Sequence, residues 1–176
     1  MDHLKLKTLI SEEQISERVR ELGRQITKRF KNEPLVAVCV LNGAILFFSD
    51  LVREIDADVT CEFIGLSSYG AGTYSTGDVR ITADFSHSVR NKHILIVEDI
   101  IDSGLTMSYL QQNLKSRGAK SITTATLLHK PKAQKTECEV DFVGFEIPND
   151  FVVGYGLDYQ GYYRNLPYIA QVQNIN

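Results

Sequence analysis

The sequence predicts an α/β fold with a mostly parallel sheet, and three observations carry that expectation. Two apolar runs rich in β-branched residues, 35–41 (LVAVCVL) and 94–97 (ILIV), lack polar alternation, as strands buried on both faces require. Each run ends in a short break containing glycine, Asn42-Gly43 and Asp102-Ser103-Gly104, and then passes into helical periodicity. Strands alternate with helices along the chain, with no repeat, low-complexity segment or linker. A length of 176 residues suits one domain, 1–176, around one core.

The first element is a helix over about 11–31. Ser11-Glu-Glu-Gln14 is a capping-box pattern, and Ile15, Val19, Leu22, Ile26 and Phe30 follow at spacings of four and three. The strand 35–41 comes next. Asn42-Gly43 breaks it, and Ala44-Ile-Leu-Phe-Phe48 with Leu51, Val52 and Ile55 gives a second helix. Residues 59–66 read as a strand. The eleven residues 67–77 then hold three glycines and no aliphatic side chain larger than alanine, so they form a loop, and 78–83 resume strand character as the return arm of a long hairpin. After the run at 94–97 a helix extends to about Ser116, stopped at Arg117-Gly118. Residues 121–128, 140–145 and 151–153 are further strands, and 154–164 is an irregular tail rich in glycine and tyrosine.

Composition narrows the function. A hydrophobic content of 43% and a charged content of 23% are ordinary for a globular protein, and no stretch approaches the ~20 apolar residues of a membrane span. The net charge of −3 argues against a general nucleic-acid binder. Met-Asp-His-Leu-Lys is no signal-peptide pattern, so a cytoplasmic location is expected. Cys39, Cys61 and Cys138 have no disulfide or zinc spacing, and Cys39 and Cys61 read as buried thiols within strands. His3, His87, His93 and His129 are scattered and are not expected to be ligands or catalysts.

The chemistry concentrates at 93–108. Glu98, Asp99 and Asp102 arrive within five positions after a buried strand, followed by Ser103, Gly104 and Thr106 at a helix start. The carboxyl end of a strand in a parallel sheet is where ligands bind. Unpaired N–H groups at a helix start attract phosphate, glycine lets the backbone approach, and hydroxyls donate to phosphate oxygens. Carboxylates would repel a phosphate unless they face sugar hydroxyls or Mg²⁺. Phosphate on one side with hydroxyls and metal on the other describes a phosphorylated sugar.

The segment Val97-Glu-Asp-Ile-Ile-Asp-Ser-Gly-Leu-Thr106 resembles the phosphoribosyl-diphosphate (PRPP) motif of type I phosphoribosyltransferases. The resemblance extends over about three quarters of the chain. Residues 36–43, the Ser-Tyr loop and 141–164, including Phe151-Val-Val-Gly-Tyr-Gly-Leu-Asp-Tyr159, are similar to the hypoxanthine-guanine branch of that family. It implies the type I phosphoribosyltransferase fold. In that fold a mostly parallel twisted sheet is flanked by helices, with a flexible lid at about 67–77 and a small hood built from the N-terminal segment and about 141–176.

The resemblance further implies Mg²⁺-dependent transfer of the 5-phosphoribosyl group from PRPP to N9 of a 6-oxopurine, hypoxanthine or guanine, giving IMP or GMP and pyrophosphate. Glu98 and Asp99 match the acids that hold the ribose hydroxyls, directly or through Mg²⁺. Asp102 matches the catalytic acid beside purine N7, and Asp102, Ser103, Gly104, Leu105 and Thr106 match the 5′-phosphate cradle. Leu41, Asn42, Gly43 and Arg164 match the pyrophosphate contacts, the Leu41–Asn42 peptide being one that is often cis in the family. On the purine side, Lys130 matches the lysine that meets O6, Phe151 the stacking ring and Val152 the backbone that reads the base edge. Asp158 matches both a purine-side residue and a Mg²⁺ contact, and Ser68 and Tyr69 the lid dipeptide. Asn42 stands where the family often has Lys or Arg, and Leu105 where some members have Lys. A dimer or tetramer of identical chains is implied, with no nucleic-acid or membrane partner. Two other readings compete: a nucleotide-sensing regulator that binds RNA, which the charge of −3 disfavours, and an enzyme specific for xanthine.

The loop 67–77 generates the first prediction. A closed lid is stabilised only by contacts made when both substrate sites are filled, because a ligand shifts an equilibrium only by its differential affinity. Backbone amides of 67–77 should therefore exchange slowly with Mg²⁺, pyrophosphate and a nucleoside analogue bound together, and quickly otherwise. Equal exchange rates with and without ligands would identify a plain surface hairpin.

Overall fold

The computed structural model describes residues 4–68 and 79–173. Most of the segment 67–77 expected to form a lid, including Tyr69, lies outside the described residues. The elements run β1 (Leu6–Ile10), α1 (Glu12–Arg29), β2 (Leu35–Leu41), α2 (Ile45–Arg53), β3 (Val59–Ser68), β4 (Val79–Ala83) and β5 (His93–Ile101). After these come α3 (Leu105–Ser116), β6 (Ser121–His129), β7 (Phe142–Glu146), β8 (Val152–Val153) and β9 (Ile169–Val172).

Six strands form the main sheet in the order β4-β3-β2-β5-β6-β7. β3, β2, β5, β6 and β7 are mutually parallel, and β4 pairs antiparallel with β3 as the hairpin pattern requires. The sheet is buried on two sides. Leu95 and Val97 point with Ala37 and Cys39 to a core shared with α1 and α2, while Ile94 and Ile96 point with Val36 and Val38 to a core under α3. That double burial explains the unbroken apolar runs in β2 and β5. Ser11 caps α1 in a reciprocal bond with Gln14, and Ile15, Val19, Leu22 and Ile26 form its buried stripe. Arg18 fastens α1 to β7 by donating to the carbonyls of Gly144 (2.9 Å) and Val143 (2.7 Å).

The chain runs from β2 outward to β3 on one side, then returns to lay β5 on the other side of β2. That reversal leaves a crevice outside the carboxyl ends of β2 and β5, the binding position of an open parallel sheet.

A second sheet, β1-β9-β8, is antiparallel and joins the two ends of the chain. Neither β1 nor β9 is read from the sequence, because Leu6–Ile10 and Ile169–Val172 are short and take their partners from opposite termini. The structure also moves a boundary. β7 belongs to the main sheet, so the second sheet takes its C-terminal strands from 152 onward and not from 141. A second correction concerns Cys61. β3 alternates, with Glu62 and Ile64 buried and Cys61 and Phe63 exposed, so Cys61 is a surface thiol.

Glu62 is a buried carboxylate on β3 that anchors the loop after β4. It accepts from the Ser86 N–H (2.9 Å) and from His87 Nδ1 (2.6 Å). Burial pushes its carboxyl up, but the bonds from Ser86 and His87 and the charges of His87 and Lys92 outweigh burial and hold it below the usual value. A depressed folded-state value contributes stability above the unfolded pKa and loses it as pH falls through the folded one. Chemical denaturation of Glu62→Gln should therefore show a deficit of roughly 1 kcal/mol at neutral pH, the scale of a buried hydrogen bond. That deficit should shrink on acidification; a deficit constant across the acid range would detach it from Glu62 ionisation.

Candidate active site

β5 carries its apolar alternation into two acids, so Glu98 and Asp99 lie inside the strand and only Asp102 lies in the turn after it. Period-two alternation aims Asp99 at the loop that follows β2. A Cβ built on Gly43 would fall 1.5 Å from Asp99 Oδ2, so only glycine lets the β2 loop lie against that carboxylate. The Leu41–Asn42 peptide in this loop is cis. Glu98 faces the other way and lines a small concavity of about 100 Å³ with Asp102, Ser103, Gly104 and Thr106. Its longer chain curls so that Oε1 accepts the Asp99 N–H at 3.1 Å.

The electrostatics of this pair follow from burial. Glu98 is only 8% exposed. Burial, and then the neighbouring Asp99 charge, push its carboxyl well above the usual carboxylate range. Burial also raises Asp99, against hydrogen bonds from Glu98 and the Ile100 N–H and the charge of Arg164. The pair would gain from a cation. Mg²⁺ is commonly held by one or two carboxylates, with substrate phosphates and water completing its shell, and Glu98 and Asp99 fit that role. Among the described residues no three metal-binding side chains converge into a ready cage. Asp158, expected as a third ligand, already engages both oxygens: Oδ1 meets Arg164 Nη2 at 2.7 Å, and Oδ2 accepts the Gly161 N–H at 2.7 Å.

The Asp102–Thr106 turn is a rigid cradle at the start of α3. Gly104 adopts φ +82° and brings no capping side chain; the Leu105 N–H donates to Ser103 Oγ at 3.4 Å, and the N–H groups that follow it in the first turn have no side-chain acceptor and can meet an anion. The following loop braces it from outside. The N–H groups of Lys135 (3.0 Å) and Thr136 (2.9 Å) both donate to the Ser103 carbonyl, and a Cβ on Gly104 would sit 2.3 Å from Thr136 O. Sequence reasoning misses this brace, because it is a backbone contact across some thirty positions with no side-chain pattern.

β6 runs parallel to β5 and ends in register with it, Ile101 opposite His129, which sets Lys130 beside Asp102. The Lys130 N–H donates to Ile101 O (2.9 Å), and its buried ammonium meets Asp102 Oδ2 at 3.2 Å. Asp102 itself is half exposed. A cation facing an acid across the mouth of the cradle suits a ligand with an acceptor next to a protonated nitrogen. Phe151 is 45% exposed and packs edge-on against Tyr159 at 5.9 Å, leaving a face free, and Val152 follows it in β8.

Arg164 comes from the irregular tail. Its Nη1 donates to Gly156 O at 2.5 Å, and a Cβ on Gly156 would fall 2.0 Å from Gly43 O. The tail therefore rests on the β2 loop and brings Arg164 to Asp99. Cys39, under the acids, is no thiolate: burial and the charges of Glu98 and Asp99 push its thiol up to about 12. Larger concavities lie elsewhere, one of about 680 Å³ at the amino ends of the strands beside Leu35 and His93, and one of about 410 Å³ between α1 and α2.

An anion cradle, an adjacent acid pair and a glycine loop meeting at a strand-order reversal define a site for a phosphorylated sugar. The phosphoribosyl transferase domain model matches residues 7–160, and the chain belongs to that family. The hypoxanthine-guanine phosphoribosyltransferase of Bacillus subtilis is 51% identical over 170 residues, covering 97% of this chain and 94% of that protein. The Staphylococcus aureus hypoxanthine phosphoribosyltransferase structure superposes with a TM-score of 0.92 at 45% identity, covering 97% of this chain and 92% of that one. A Bacillus anthracis hypoxanthine-guanine phosphoribosyltransferase structure gives the same score and identity over 97% of this chain and all of the other, 100%.

Gly43→Ala tests the packing of the β2 loop on Asp99. The added methyl must displace either the loop or the carboxylate, and a shift of about 1 Å costs on the order of 10²-fold in catalysis. Turnover should fall by that factor while the thermal midpoint barely moves. Turnover close to that of the parent would show that the contact is not needed.

Proposed function

We propose that this enzyme serves purine salvage, transferring the 5-phosphoribosyl group of PRPP to N9 of hypoxanthine or guanine and releasing pyrophosphate with IMP or GMP. The observation that carries the reading is the placement of Lys130 and Asp102 together at the mouth of the anion cradle. The 5′-phosphate sits in the cradle of Asp102, Ser103, Gly104, Leu105 and Thr106. The ribose hydroxyls face Glu98 and Asp99. Pyrophosphate lies along Leu41, Asn42 and Gly43 and meets Arg164, which is the cationic contact on this side because position 42 is asparagine. Mg²⁺, held through Glu98, Asp99 and Asp158, would neutralise charge on the leaving group.

The purine stacks on Phe151, and the backbone of Val152 reads its edge. Lys130 donates to O6. As the bond to pyrophosphate breaks and positive charge develops on the ribose, N9 attacks C1, and Asp102 takes or shares the proton at N7, a general-base role worth about 10²–10⁴-fold. Arg164 stabilises the departing pyrophosphate. The segment 67–77, with Ser68 and Tyr69, closes over the centre and excludes the water that would hydrolyse PRPP. We further propose that the enzyme works in the cytoplasm as a homodimer or homotetramer. Exposed Ile45 and Leu46 on α2 and Phe63 on β3 support self-association.

Product formation from PRPP with hypoxanthine, guanine, xanthine and adenine tests the reading. Lys130 can only donate, whereas adenine presents a donor at position 6, so adenine should be rejected by a large factor and Lys130→Ala should lose much of that discrimination. Comparable kcat/KM for adenine and hypoxanthine, or parental discrimination in Lys130→Ala, would remove the assignment.

A further inference from the structure

We infer that Tyr155 and Asp50 are positioning residues, a hydrogen-bonded clamp that sets the distance between the segment bearing Asp158 and Arg164 and the loop 42–44. The inference rests on the reading of Gly43 and Arg164 as the pyrophosphate side of the site.

Tyr155 stands at the start of that segment, in the left-handed region at φ +47°. Its backbone is tied inside the segment, the N–H donating to Leu166 O (2.8 Å), while Gly156 N–H donates to Arg164 O (2.9 Å). Its side chain leaves the segment. The ring is 7% exposed within the α1–α2 core, and the hydroxyl donates to Asp50 Oδ2 on α2 at 2.5 Å, across 105 positions of sequence. α2 begins directly after the loop 42–44 and is continuous with it through Ala44, whose carbonyl accepts from the Phe48 N–H at 2.7 Å.

The segment thus meets the loop–helix unit at two points. At Gly156 the contact with Gly43 is close packing of bare backbone, which limits approach but has no direction. At Tyr155 the contact is a bond to a charged acceptor, short and directional. Arg164 is held within the segment by Gly156, through the bond to Gly156 O, and by Asp158, through the ion pair at Nη2. A change at Tyr155 therefore reaches Arg164 through one intervening residue without touching the purine side, where Lys130 and Phe151 are carried by β6 and the approach to β8. Burial, then the bond to Asp50 and its charge, push the Tyr155 phenol far above its ordinary value, so the hydroxyl remains a donor at any pH at which the enzyme works. Asp50 is 40% exposed and also pairs with Arg53, so it can be altered without opening the core.

Steady-state kinetics with both substrates, and with pyrophosphate in the reverse direction, test the clamp. Tyr155→Phe should raise KM for PRPP and for pyrophosphate by about tenfold, the scale of one hydrogen bond to a charged group, and leave KM for hypoxanthine unchanged. Asp50→Ala should reproduce that pattern, Asp50→Asn should restore most of the parental KM because its carbonyl still accepts, and Tyr155→Phe/Asp50→Ala should be no worse than either change alone. If Tyr155→Phe does not fold, the Asp50 pair of variants decides alone. Parental KM for PRPP in Asp50→Ala, an equal rise for both substrates, or additive effects in the double variant would overturn the clamp. Arg164→Ala separates the two failures. If it raises KM for PRPP while the clamp variants do not, only the clamp is wrong; if it has no effect, the pyrophosphate reading is wrong and the clamp falls with it.

Discussion

Everything at the site depends on the parallel pairing of β2 with β5. Their register, Leu35 with His93 through Cys39 with Val97, brings the end of β2 alongside the two acids of β5. The loop after β2 then comes to rest on the Asp99 carboxylate, with glycine at the point of contact. Slip the pairing by one residue and β5 would turn its acids to the opposite faces of the sheet. The tail carrying Arg164 rests on the same loop through Gly156, so its position is set by β2 as well.

The acids are managed in two ways. Asp102 and Asp158, each partly exposed, face cations at 3.2 and 2.7 Å. Such pairs hold side chains in place at little cost in solvation. Glu98 is buried and Asp99 half-buried beside it, with no cation in direct contact among the described residues, an arrangement that costs folding free energy. Crowding two acids away from water disfavours their charged forms, and a ligand that brings a divalent cation recovers the cost. Stability here is supplied by the two apolar cores on either side of the sheet, while the strand ends hold strained electrostatics for binding.

Rigidity is distributed in the same sense. The anion cradle is braced on its outer side by two N–H groups from the loop after β6 and, at Gly104, by direct contact with Thr136. Lys130 is held by its own backbone bond to the end of β5. The cradle and Lys130 are thus referenced to β5, and the position of Arg164 to the β2 loop. Both references are set by one strand pair, β2 with β5.

Much of this was legible in the sequence because it is encoded locally. Unbroken apolar runs specify strands buried on both faces, Ser11 and Gln14 specify a helix start, and the ten residues from Val97 to Thr106 carry their own chemistry. What the local pattern could not hold is whatever depends on a partner far away in sequence. β1 and β9 exist only because the two termini meet, and β7 joins the main sheet rather than the small one because β6 offers it a parallel edge. Cys61 is exposed because one face of β3 lacks a covering layer at that point, which no run of residues around it records. The sequence determined which chemical groups stand at the strand ends; the tertiary structure decided which of them touch. Gly43 against Asp99, Gly156 against Gly43 and Lys130 against Asp102 are contacts between segments separated by 28 to 113 positions, set by strand register and close packing, and neither quantity is a property of any single stretch of chain.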